Sequence, residues 1–185
     1  MGLEQKYRKS MTERWCLRFK TRLPEQDNYD GIITHNKRGF IVLRQEHDFE
    51  FDGVVLLLKK VIRGYRDNKY EDCCNAIIRQ NGSLKTARSP RWLDSCDRIP
   101  DVFAQLQSRD IWPAIEIVFN EGSETAFYLG PITRIETNAV SIRCYDAAGK
   151  WEKVYELDYD EICRIEFDSK YCNHFNGYMR SKNDA

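Results

Sequence analysis

Beyond residue 112 the chain alternates with a period of two. Ile115, Ile117 and Phe119 are apolar while Glu116 and Asn120 are polar, the pattern of a strand with one buried face. Residues 126–133 and 140–145 follow, dense in branched and aromatic side chains, and then residues 151–157 and 162–167. Asp146-Ala-Ala-Gly149 supplies turn chemistry between the third and fourth of these runs. An earlier region has the same order, with strands expected over residues 16–23, 31–34, 40–44, 51–58 and 61–65. Five short strands at such spacing suit a small barrel, which removes exposed sheet edges.

The two regions can be laid over each other, which points to an internal duplication of residues 15–70 and 112–171. Trp15 falls on Trp112, and Gly31, Ile33, Thr34, Leu43 and Arg44 fall on Gly130, Ile132, Thr133, Ile142 and Arg143. Further on, Leu56, Val61, Arg63, Asp67, Lys69 and Tyr70 fall on Leu157, Ile162, Arg164, Asp168, Lys170 and Tyr171. Between the copies the period lengthens. Residues 70–80 predict a helix stopped by Asn81-Gly82, and residues 97–109 a second one with Ile99, Val102, Phe103 and Leu106 on one side. The expected organisation is a basic tail over 1–13, a first β unit over 14–70, a helical connector over 71–110, a second β unit over 111–172 and a tail over 173–185.

The strand order, Gly31 in the second strand and Val61-Ile-Arg-Gly64 at the last strand resemble the small β-barrels of the Sm and Sm-like RNA-binding family, whose second motif closes with Ile-Arg-Gly. The resemblance implies a mainly β fold of two small five-stranded Sm/SH3-like barrels joined by a helical connector. It carries over Arg63 and Gly64. The Asp that the family places after the second strand is absent from Ile32-Ile-Thr-His-Asn-Lys-Arg-Gly39, and Ile165 stands where the second copy would need the Gly. Residues 127–133 and 159–167 also resemble uncharacterised bacterial proteins built on this barrel.

Charge refines the picture. Lys plus Arg and Asp plus Glu both total 29 in 185 residues, yet residues 1–90 carry a net charge of +6 and residues 91–185 of −6. The inversion is sharpest where Lys59-Lys60 becomes Asp160-Glu161. Copies of opposite sign can attract one another within a chain or stack head to tail between chains. The basic candidates for a partner or RNA contact are Lys37, Arg38, Lys59, Lys60, Arg63, Arg66 and Lys69, the last three near Tyr65 and Tyr70. Glu156, Asp158, Asp160 and Glu161 make the candidate acidic face.

Catalytic signatures are missing: the sequence has no Gly-rich phosphate loop, no Gly-x-Ser-x-Gly, no His-Glu-x-x-His and no Cys-x-x-Cys. Seven scattered cysteines suit reduced thiols, and no cofactor or metal is expected; Cys172-x-His174 lacks a second ligand pair. The start of the chain does not read as a secretory signal and no run approaches a membrane span, so a cytoplasmic protein is expected. The reading is a non-enzymatic binding or assembly module that recognises a protein partner or itself. An RNA-binding module built on the basic copy is the alternative.

Overall fold

The computed structural model describes residues 2–24, 28–119 and 124–183; Asn120 lies outside them. The first half runs α1 (Leu3–Glu13), β1 (Leu17–Thr21), β2 (Asn28–Asn36), β3 (Phe40–His47), β4 (Glu50–Leu58), β5 (Ile62–Arg66) and α2 (Lys69–Gln80). The second runs α3 (Ile99–Ser108), β6 (Ala114–Phe119), β7 (Glu124–Leu129), β8 (Ile132–Ile135), β9 (Ala139–Tyr145), β10 (Trp151–Asp158), β11 (Ile162–Phe167) and α4 (Lys170–Asn183). The fold is mainly β, and no described helix is long and apolar enough to cross a membrane.

Local chemistry sets several boundaries. The Asn68 side chain accepts the Tyr70 N–H at 3.0 Å while Glu71 accepts the Asn68 N–H at 3.0 Å, so a reciprocal cap starts α2. The helix stops before Gly82, which takes a φ of +77°. Ser169 caps α4 through the Cys172 N–H at 3.2 Å.

The strands form two sheets: an eight-stranded one in the order β5-β1-β2-β3-β4-β11-β6-β7 and a three-stranded one in the order β10-β9-β8. All pairings are antiparallel. The expected pair of closed barrels is not seen: no ladder closes on itself among the described residues. The reason is visible at β4: its outer edge pairs with β11 of the other half instead of with its own β5.

The duplication survives in the ladder registers. Ile33↔Leu43, His35↔Val42 and Asn36↔Ile41 recur 99 residues later as Ile132↔Ile142, Arg134↔Ser141 and Ile135↔Val140, with the register shift at the same place. The threonine inside that irregularity is reused too. Thr34 Oγ1 donates to the Val42 carbonyl at 3.3 Å, and Thr133 Oγ1 to the Ser141 carbonyl at 3.2 Å. Gly31 and Gly130 share one constraint, since a Cβ would lie 2.6 Å from the Arg44 carbonyl oxygen in one and 2.1 Å from that of Arg143 in the other. At Gly130 the backbone passes from β7 into β8 with a φ of +153°.

These registers also correct the sequence overlay. Arg18↔Asp30 and Phe19↔Tyr29 correspond to Ala114↔Leu129 and Ile115↔Tyr128, so Cys16, not Trp15, takes the place of Trp112. Ile41↔Leu57 matches Val140↔Leu157, which puts Leu57 in place of Leu56, and Lys20↔Gly64 matches Glu116↔Arg164, which puts Gly64 in place of Arg63. The repeated unit is larger than its strands. Helices α1 and α3 occupy equivalent positions, bury Tyr7 and Phe103 at matching places, and end at left-handed residues Arg14 (φ 52°) and Asp110 (φ 53°). The corresponding spans of the two halves are therefore 3–80 and 99–183. The residues expected as an N-terminal tail hold α1, those expected as a C-terminal tail belong to α4, and α2 and α3 are parts of the units rather than a connector.

The core lies on both sides of β4. Val54, Leu56 and Leu58 face one apolar cluster with Phe103, Ile115 and Ile142, while Val55 and Leu57 face another with Tyr7, Phe19 and Ile33. A strand buried on both faces has no polar side to show, which explains the unbroken run Val54-Val-Leu-Leu-Leu58.

Gly130→Ala and Gly31→Ala should each lower unfolding stability by about 1–3 kcal/mol in urea titrations. At Gly64 nothing lies within 4 Å of an added Cβ. Gly64→Ala should leave stability unchanged or raise it by about 0.5–1 kcal/mol.

Candidate assembly edges

The ladder between the halves pairs Arg164 with Leu57, Ile165 with Leu56, Glu166 with Val55 and Phe167 with Val54. It joins the fourth strand of copy one to the fifth strand of copy two. The converse pair, the fifth strand of copy one (β5) and the fourth strand of copy two (β10), stands at the two outer ends, each paired with a single strand among the described residues. The other two sheet ends, β7 and β8, continue into each other through Gly130-Pro131. The molecule thus presents two open edges that match the two halves of its own internal joint.

A buried ion cluster anchors the joint. Arg164 Nε donates to Glu116 at 2.9 Å and Arg164 Nη1 to Glu166 at 2.7 Å, with all three side chains at least 88% removed from solvent. The guanidinium lies 5.6 Å from the centre of the Tyr29 ring of the first half and 5.8 Å from that of Phe127. Burial alone would weaken its hold on the proton; Tyr29, Glu166 and Glu116 reverse the effect and raise the pKa, so the group stays charged.

The basic candidates do not form one patch. Lys37 donates to Asp97 and to the Asp94 carbonyl, both at 3.0 Å, beside the exposed Arg38 at the β2–β3 turn. Lys59 lies 3.9 Å from Glu4, and Lys60 donates to the Asp160 carbonyl. Arg63 is exposed on β5 and lines a cleft of about 410 Å³ with Arg22, Lys60, Asp160 and Glu161. Arg66 is paired with Glu71 at 2.7 Å, and both Arg66 and the exposed Lys69 lie over the Tyr70 ring, at 5.4 and 5.3 Å.

The acidic candidates divide. Asp160 and Glu161 border that cleft together with Lys60 and Arg63 of the first half. Glu156 and Asp158 are exposed on β10 and flank the buried Leu157. Glu152 and Val154 are exposed on the same edge. Cys172 is buried while His174 is exposed, so those two side chains do not converge. Sequence reasoning missed the Glu116–Arg164–Glu166 cluster, because its members look like the polar phase of ordinary alternation.

Comparison with protein-family models, with curated proteins and with solved structures finds no match for this chain.

Arg164→Leu, which leaves two buried carboxylates without their cation, should destabilise the fold by about 3–5 kcal/mol in equilibrium unfolding. Glu116→Gln introduced into that variant should restore part of the loss.

Proposed function

We propose that the chain is a tandem of small five-stranded, Sm-like barrel units that works as a non-enzymatic assembly module, in which β10 of one molecule pairs with β5 of the next. One observation carries this reading: the chain already contains the equivalent contact, β4 on β11, between its own halves. Transferred through the repeat, that register places Gly64 opposite Leu157, Tyr65 opposite Glu156 and Arg66 opposite Tyr155. Such a contact is heterologous. Repeated, it closes a ring or extends a filament according to the rotation between neighbours.

The electrostatics support the pairing. Arg63 and Lys69 lie on or just beyond the β5 edge, and Glu152, Glu156 and Asp158 on the β10 edge. Opposite charges draw the two edges together and add to the attachment that the backbone hydrogen bonds of those edges make. The basic side chains lend less support to an RNA site, because Lys37, Lys60 and Arg66 are engaged by groups of the chain itself.

Light scattering coupled to size exclusion should return multiples of the 21.9 kDa chain at low salt. The mass should fall as salt is raised and the screening length drops from about 10 Å at 0.1 M to about 3 Å at 1 M. Glu156→Arg combined with Asp158→Arg should give a single chain at concentrations where the parent assembles. A single-chain mass for the parent protein at every salt and concentration would contradict the proposal.

A further inference from the structure

The two copies differ in chemistry where their helices α2 and α4 meet the sheet. In copy two the space is filled by Trp112, Tyr145 and Phe175; the Tyr145 and Phe175 rings stack at 5.4 Å with an interplanar angle of 2°. The overlay puts Cys16, Glu46 and Cys74 at those three positions. Here the Sγ of Cys16, the Sγ of Cys74 and a carboxylate oxygen of Glu46 all lie within 4.8 Å of one another. They border a cleft of about 350 Å³ that also reaches Arg18, Asp30 and Glu71.

Three features suit this trio to a cation. The ligand types are those of zinc, two sulfurs and one carboxylate, with the cleft leaving a fourth position for water. Glu46 is half-buried yet has no Lys or Arg partner among the described residues, since Arg18 is taken by Asp30 at 2.6 Å and Arg66 by Glu71 at 2.7 Å. The frame is also fixed beforehand. Asn75, next to Cys74 on α2, accepts the Cys16 N–H at 2.8 Å and donates to the Cys16 carbonyl at 2.9 Å, so both sulfurs are held relative to each other without metal.

We propose that Cys16, Glu46 and Cys74 form a zinc site that clamps α2 onto β1 and β3, the task that stacked aromatic rings perform in copy two. On binding, the two thiols lose their protons to solvent and both thiolates and the carboxylate bond the Zn²⁺. Sequence spacing hides such a site, because its ligands come from three separate elements.

The test is zinc titration of the metal-depleted full chain against a chromophoric chelator, with Co²⁺ as a spectroscopic substitute. The expected result is one Zn²⁺ per chain, a higher melting temperature with zinc, and a thiolate-to-cobalt charge-transfer band. Cys74→Ser and Glu46→Gln should each weaken binding by at least about tenfold. Cys73→Ser, exposed on the neighbouring position, should leave it unchanged. Absence of stoichiometric zinc uptake, or uptake undiminished in both Cys74→Ser and Glu46→Gln, would overturn the assignment.

Discussion

The pairing of β4 with β11 is the contact on which the rest of the structure depends. It places Val54 to Leu58 between two apolar clusters, one assembled around Phe103 and one around Tyr7, so a single ladder closes both cores. A strand buried on both faces cannot move without opening each core to water, and that makes the two halves one packed body. The same ladder leaves β5 and β10 as the outer edges.

Divergence between the copies follows from where each fifth strand ends up. In copy two it is internal, and the pair Glu116 opposite Arg164 makes a buried ion cluster with Glu166. In copy one the same ladder position holds Lys20 opposite Gly64, with a partly accessible strand and exposed Arg63 beside it. A buried charge needs a matched partner, whereas an outer edge needs an approachable backbone and a sign that attracts the right neighbour. At Cys16, Glu46 and Cys74 the copies diverge again, with polarizable and anionic groups in place of three rings.

Much of this was legible in the sequence. Period-two alternation located the strands, and Gly31/Gly130 and Thr34/Thr133 were matched correctly because each pair serves a backbone requirement: a close carbonyl and a ladder irregularity. Where no such requirement anchors the comparison, similarity misled. The two tryptophans attracted each other in the overlay although Trp15 and Trp112 are one position apart in register, and Leu56 stood in for Leu57 within a uniform apolar run. Helices α1 and α3 escaped as a repeated pair because Tyr7 and Phe103 are set among unlike neighbours, polar in one and apolar in the other. The expected barrels were drawn as separate closed units because strand pattern encodes which face is buried, and not which edge a strand will find. Dispersed ligands such as those around Glu46 carry no linear signal at all.

The most direct test of the account is amide hydrogen exchange followed by mass spectrometry at several protein concentrations. Protection along β4 and β11 should be high and independent of concentration, while β5 and β10 should gain protection together as the protein is concentrated. Protection of β5 and β10 that stays constant across a range in which the protein demonstrably assembles would contradict the claim that the internal joint is repeated between molecules.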